Sequence, residues 1–504
     1  MRADRSLPDG IEAFPALRGA LWLVGLAAAA YLLLYAGLAI FRVPYPFELE
    51  WLEGSVVDVV HRLLLGQKIY VEPSVEFASH AYTPLYFYVS AAASKLLGIG
   101  FLPLRLVSFL AILGVFALLF LWARRETGSA YWGLLAAGLF AATFRAGGAW
   151  FDVARVDSLF LFFLLWALYQ SRFAPPSLGS AALVGLLFFL AYFTKQSALV
   201  VAACVGAHLL LVDWRRALVF AAVLGGAVGL SAFVLDRVHD GWYLYYTVEL
   251  IRRQPLVLQL ALPFWTDYLL GPLPLVCAVA FAFLARRLAE GQRPALFYPA
   301  VAAGMLGLAW SSRLHLGGYD NVLLPAYAML ALLFAVGLRE GLLAIQRWPL
   351  PRRQAAMLGL LALCLLQYGW LVYDPLEQVP TRADAAAGEA LLQRIREIDG
   401  EVYLPFHGFL GTLAGKRTYA HINCLGDIYR TTDVALQEKI TEKVNEAFRR
   451  GRFAAVIWDF GRIRFEQLEL NYERLPGRLF DDPKVFRPVT GGRYRPETVF
   501  QRRR

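Results

Sequence analysis

Tyr82-Thr-Pro-Leu-Tyr-Phe-Tyr-Val-Ser90, continuing to Gly98, is apolar, short and rich in tyrosine. Its reading decides the fold. If it crosses a bilayer, every later loop changes side. If it is a half-buried helix, the clusters Arg124/Arg125, Arg172, Arg215/Arg216, Arg286/Arg287/Arg293, Arg339/Arg347 and Arg352/Arg353 all fall on the side of the N-terminus. Lys and Arg collect on the cytoplasmic side of membrane proteins, so this agreement favours a re-entrant or interfacial segment. Reporter fusions are then expected to read cytoplasm after Arg125 and the outside after Arg155; the reverse pattern would sink the topology.

The surrounding composition fits. The chain has 504 residues, 58% of them hydrophobic and only 17% charged, with a mean hydropathy of +0.50. Such a chain is a polytopic helical membrane protein rather than a soluble one. Its net charge of +10 needs no nucleic acid, because the positive-inside bias supplies a reason. Cys204, Cys277 and Cys364 lie in apolar runs and Cys424 stands alone, so neither a disulfide framework nor metal-site spacing is present. Residues 1–18 read as a cytoplasmic tail and the first apolar run as a retained anchor. Hydropathy gives about eleven spans: 20–41, 101–123, 130–147, 158–173, 178–194, 197–212, 217–236, 264–285, 295–311, 321–338 and 355–373.

Two regions stand outside this pattern. The first external loop, 42–100, carries Glu48, Glu50, Glu53 and Asp58. Val56, Val57, Val60, Leu63 and Leu64 recur there at helical spacing, which predicts an amphipathic helix on the bilayer surface. Acidic residues beside a span are costly unless paired or solvated; they are functional candidates, with a solvated acidic loop as the plain alternative. Residues 375–504 form the second region. Helices over Ala383–Ile398 and Asp433–Arg450 alternate with strands at Glu401–Pro405 and Phe453–Trp458, which predicts a small extracytoplasmic α/β domain after a transmembrane domain of residues 1–374. That domain is expected to modulate acceptor choice rather than catalysis.

On this topology the outer face also holds His80, Tyr82, Asp152, Arg155, Asp157, Lys195-Gln196, Arg313, His315 and Asn321. Basic residues there run against the positive-inside bias, and a bound phosphate gives them a reason. Local Arg–Asp pairing at 152–157 and snorkelling of Lys195 are the structural alternatives.

Together these residues resemble the GT-C superfamily of membrane glycosyltransferases, in particular the family 39-like branch of protein O-mannosyltransferases and lipid A aminoarabinose transferases. The residues that carry the resemblance are Leu52-Glu53-Gly54, then Arg62-Leu-Leu-Leu-Gly66 with Tyr70, and Tyr82-Thr-Pro-Leu-Tyr-Phe-Tyr88. Arg105-Leu106, Arg155-Val-Asp157 and Thr194-Lys195-Gln196 complete the set. It covers roughly residues 20–340. The family often has Asp where this chain has Glu53, which leaves the base as Glu53 or Glu50.

The resemblance implies a polyprenyl-phosphate sugar as donor and a glycan, lipid or protein as acceptor, with no cofactor. Inverting transfer needs a base for the acceptor hydroxyl and cations for the leaving phosphate, and it needs no metal. The expected catalytic residues are Glu53, Glu50 and Asp157. Arg155, Lys195 and Arg313 are expected to contact the donor phosphate, and Asp152, Tyr82 and His80 the acceptor or sugar. Glu53→Gln is expected to abolish transfer and leave the fold intact. The rival readings are a lipid-linked sugar flippase or a transporter, against which the chain shows no inverted repeat, and a receptor-like protein whose spans only anchor it.

Overall fold

The computed structural model describes residues 15–459 and 465–503. A helix occupies each segment expected to span. Pro15–Arg42, Phe101–Thr127, Trp214–Val238, Arg293–Arg313 and Asp320–Ile345 are long and apolar enough to cross a membrane. The segment 264–285 is broken: Phe264–Leu270 and Pro274–Ala289 meet at 108°, where Gly271 and the prolines at 272 and 274 interrupt the backbone ladder. Helices Ala130–Ala142, Leu178–Thr194 and Ala198–Val212 are shorter.

The bundle is built around Leu324–Ile345, almost wholly buried among its neighbours. Trp214–Val238 lies at the periphery with few buried residues. Its exposed Leu218, Leu230, Phe233 and Val234 are the surface that a lipid environment requires. Gly138 lets Ala130–Ala142 close on the first helix, where a Cβ would lie 2.5 Å from the Ala28 carbonyl oxygen. Small residues permit such backbone approach between membrane helices.

Leu85–Leu97 is a helix of 13 residues, about 20 Å long, the same length as Ala130–Ala142. It is anchored by its buried face: the Tyr86 hydroxyl donates to the Leu104 carbonyl at 2.9 Å and meets Ser108 Oγ at 3.0 Å. Leu96 and Leu97 are exposed. Gly98, at φ +86°, turns the chain into the next long helix.

Cationic groups segregate to two ends of the bundle. At one end Arg172 pairs with Glu126 (2.6 Å), Arg287 with Glu340 and Arg293 with the Leu211 carbonyl. At the other end lie Arg42, Arg105, Arg155 and Lys195, with the first loop and the C-terminal region.

The C-terminal region carries a four-stranded sheet of β1 (Val402–Tyr403), β2 (Ala455–Trp458), β3 (Tyr472–Arg474) and β4 (Thr498–Arg502), in the order β1-β2-β4-β3. β1 and β2 are parallel and the other pairs antiparallel. The parallel pair requires a crossover, which the intervening helices supply. Helix Arg382–Glu397 begins at a capping box: Thr381 Oγ1 accepts from the Asp384 amide (3.1 Å), and the Asp384 carboxylate accepts from the Thr381 amide (2.6 Å).

This region is seated on the first loop through a common core. The Trp51 ring packs against His421 (5.2 Å) and Tyr494 (4.3 Å), Phe101 against Phe409 (5.3 Å) and Phe47 against Phe486 (5.3 Å). His407 is held between Glu48 and Asp459, accepting no solvent contact of note. Burial alone would lower its pKa, but the two carboxylates raise it to about 10. The imidazolium therefore joins the two regions as an ionic tie.

Candidate active site

The helix Glu53–Leu64 forms where its valine spacing predicts one, but Glu53, Ser55 and Asp58 are buried along with Val56, Val57, Val59 and Val60, so its polar side is covered by protein rather than solvated. Its first residue is locked. Glu53 Oε1 accepts from Arg105 Nε (2.9 Å) and the Ala154 amide (2.6 Å). Oε2 accepts from Arg105 Nη2 (2.6 Å), the Leu49 amide (2.6 Å) and the Glu50 amide (3.3 Å). Burial pushes this carboxyl up, yet Arg105 and the amides outweigh it and hold it below the usual range. Glu53, expected as a base, has no oxygen free to take a proton. It fixes the loop instead, because Arg105 also donates to the carbonyls of Tyr45 (2.6 Å) and Phe47 (2.5 Å).

Asp152 is likewise withdrawn from the expected sugar site. Both its oxygens face Arg42, at 2.9–3.0 Å, and both side chains are fully buried. Arg42 also donates to the Ala149 carbonyl at 2.9 Å. Gly148 (φ +72°) and Ala149 (φ +63°) are consecutive left-handed residues, a conformation costly for alanine. In the segment that follows this turn, the Ala154 amide donates to Glu53 and Arg155 lines the cavity.

That cavity, about 330 Å³, opens between one end of the helical bundle, the first loop and the C-terminal region. Its wall includes His80, Tyr82, Trp150, Arg155 and Lys195, so four expected site residues come together there. Arg155 Nη1 donates to Glu50 Oε2 (3.2 Å) and Nη2 to the Tyr82 hydroxyl (3.1 Å), while its Nε has no partner. Lys195 Nζ donates to Asp157 Oδ1 (2.8 Å), which also accepts from Asn321 Nδ2 (2.9 Å). Asp157 Oδ2 has no partner. Thus Asp157 orients Lys195. Burial would lower the Lys195 pKa, but Asp157 raises it, so the ammonium keeps its charge.

Glu50 lies directly behind Arg155 and is buried. Oε2 also accepts from the Leu52 amide at 3.2 Å, whereas Oε1 has no partner. Burial raises its pKa to about 8 against the pull of Arg155. His80 Nε2 meets Ser55 Oγ at 2.8 Å, and burial drives its pKa well below the usual value, so the ring is neutral. Arg313 sits beside the cavity but turns away, bonding to the Tyr268 hydroxyl and the Gly318 carbonyl and lying 4.5 Å from the Tyr268 ring. It makes no contact with the Arg155–Lys195 pair.

Three further residues reach the cavity from the C-terminal region: Asn423, Asp427 and Arg430. Sequence reading missed them. Their signal is polar residues at i, i+4 and i+7 on a short helix whose other face is apolar. Among the described residues no group of three His, Cys, Asp or Glu side chains is arranged to share a metal ion.

No protein-family model matches the chain, and no curated protein does. Solved structures do. ArnT from Cupriavidus metallidurans bound to undecaprenyl phosphate superposes at TM-score 0.56 and 14% identity, over 95% of this chain and 98% of that one. Archaeal oligosaccharyltransferase AglB from Archaeoglobus fulgidus, in complex with an inhibitory peptide and a dolichol-phosphate, gives 0.53 and 14%, over 90% and 70%. The chain has the GT-C fold that these two proteins share.

Proposed function

We propose that this chain is a glycosyltransferase that moves a sugar from a polyprenyl phosphate to an acceptor on the extracytoplasmic face of the plasma membrane. One observation carries the reading: Arg155 and Lys195, a buried and a largely buried cation, line one cavity at an end of the helical bundle, with the carboxylate of Glu50 behind the first. Each is paired with one carboxylate, yet Arg155 Nε has no partner, which leaves a charged donor for an incoming anion. The fold likeness to proteins solved with undecaprenyl phosphate and dolichol-phosphate supports the choice of lipid.

Chemically, the acceptor oxygen attacks the anomeric carbon, and the bond from that carbon to the phosphate oxygen breaks. The phosphate leaves with the electron pair, stabilised by Arg155 and Lys195. The acceptor proton passes to Glu50, which becomes available as the phosphate draws Arg155 forward. Asp157 keeps Lys195 in place, and Tyr82 keeps Arg155. The rest of the chain's work is to hold these groups at the edge of the bilayer, where a prenyl tail stays in lipid.

Purified protein in nanodiscs tests this. It should bind undecaprenyl phosphate, and Lys195→Ala should weaken binding by about tenfold to a hundredfold, the worth of one charge-assisted hydrogen bond of roughly 1.5–3 kcal/mol. Equal binding by Lys195→Ala and wild type would remove the phosphate from this site. A carrier would translocate a sugar-bearing lipid without consuming it, whereas a transferase releases the bare lipid phosphate.

A further inference from the structure

We propose that the cavity-facing side of helix Ile422–Tyr429, with Arg430 at its end, is the wall that reads the sugar of the donor. The inference rests on the polyprenyl-phosphate reading and assigns the C-terminal region a part in donor recognition.

The helix is firmly placed. His421 Nε2 donates to the Phe406 carbonyl (2.7 Å), which leaves Nδ1 to accept the Asn423 amide (3.1 Å) as an N-terminal cap. The Ala420 amide donates to the Val75 carbonyl of the first loop (2.9 Å), and the Ile422 amide to the Pro405 carbonyl (2.7 Å). On the far side, Asp433 accepts from Arg253 at 2.7 Å. Cys424, Leu425 and Ile428 are buried on the inner face. The opposite stripe, Asn423, Asp427 and Arg430, faces the cavity that also holds Arg155 and Lys195.

A polyprenyl-phosphate sugar has three parts, and this stripe suits only one. The prenyl tail would cover the Asn423 amide and the Asp427–Arg430 ion pair with hydrocarbon and offer them no hydrogen bond in return, a costly burial of polar groups. The phosphate would meet the Asp427 carboxylate, which Arg430 already pairs at 2.8 Å. A sugar presents hydroxyls that both donate and accept. Asn423 offers both functions, Asp427 accepts and Arg430 donates. The rings of Tyr82 and Trp150 line the same cavity, so a sugar there would have aromatic surface to pack on as well as hydrogen-bonding groups. Burial pushes the Asp427 carboxyl up to about 6, with Arg430 and Arg155 opposing, which places it within the field of the phosphate-side cation.

The test compares lipid binding in nanodiscs, without acceptor, by the full chain and by Asp427→Asn and Asn423→Ala. The probes are bare undecaprenyl phosphate and undecaprenyl-phosphate-linked glucose, mannose and arabinose. Wild type is expected to prefer at least one sugar-bearing lipid over the bare lipid by about tenfold, or roughly 1.4 kcal/mol. Each variant should lose most of that preference while its affinity for the bare lipid stays within about twofold, which also reports an intact fold. Preference retained in both variants overturns the proposal, as does a wild type that prefers none of the three sugars. If the stripe reads the acceptor instead, donor binding will not change and only the acceptor KM will. Failure of wild type to bind even the bare lipid would overturn the polyprenyl-phosphate reading itself.

Discussion

Glu50→Gln is expected to reduce sugar transfer by about a hundredfold or more, the usual worth of a positioned general base. Binding of undecaprenyl phosphate should survive. Glutamine can still accept from the Leu52 amide and from Arg155, the two contacts that Glu50 Oε2 makes. It cannot take the acceptor proton. The pH profile gives a second readout. Burial raises the Glu50 pKa to about 8, although Arg155 opposes it. The base is the ionised form, which is scarce below that value and grows above it. Wild-type kcat/KM should therefore climb as pH rises through about 8, and that limb should vanish in Glu50→Gln. Wild-type turnover by Glu50→Gln, or a limb in the ordinary carboxylate range near pH 4, would remove Glu50 from the role.

The parts of this molecule that follow a local rule could be read from its sequence. Helix and strand periodicity located Arg382–Glu397, Val434–Arg449 and β2 within a residue or two. Charge bias sorted the bundle's cations into two ends. The cavity was legible in part: Tyr82, His80, Arg155 and Lys195 were marked by polarity at a membrane edge, and they converge. What the sequence did not decide was which acid is paired with which base. Glu53 and Glu50 are neighbours with the same side chain, and only distant partners separate them. Arg105, 52 residues away, closes on Glu53, and Arg155, 105 residues away, on Glu50. Asp152 sits three residues from Arg155, yet it turns to Arg42 across 110 residues. The His407 tie to Glu48 spans 359 residues. Hydropathy and spacing carry no information at such separations. The same limit explains why Asp427 and Arg430 went unseen: their helix reaches the cavity only because the C-terminal region folds back onto the first loop.

Glu53→Gln should damage the fold before it can be scored for chemistry, which reverses the expectation from sequence that it leaves the protein intact. Five donor contacts converge on the two Glu53 oxygens, from Arg105 and three backbone amides. A glutamine must turn its NH2 toward one set of those donors, so hydrogen-bond donors face each other in a fully buried site. Arg105 is left as a buried guanidinium without its counter-charge, and removing one partner of such a pair costs about 3–5 kcal/mol. The loop that carries Glu50, and the turn that carries Arg155, are fastened by these same bonds. Purified Glu53→Gln is thus expected to melt several degrees below wild type, or to accumulate poorly in membranes, with undecaprenyl phosphate binding lost in step with the folded fraction. Arg105→Met should show the same stability defect, because it strands the carboxylate instead. The double variant Glu53→Gln/Arg105→Met should recover part of the loss, since it removes both buried charges together. A Glu53→Gln protein with wild-type melting and lipid affinity but no turnover would overturn this assignment and return the proton-accepting role to Glu53.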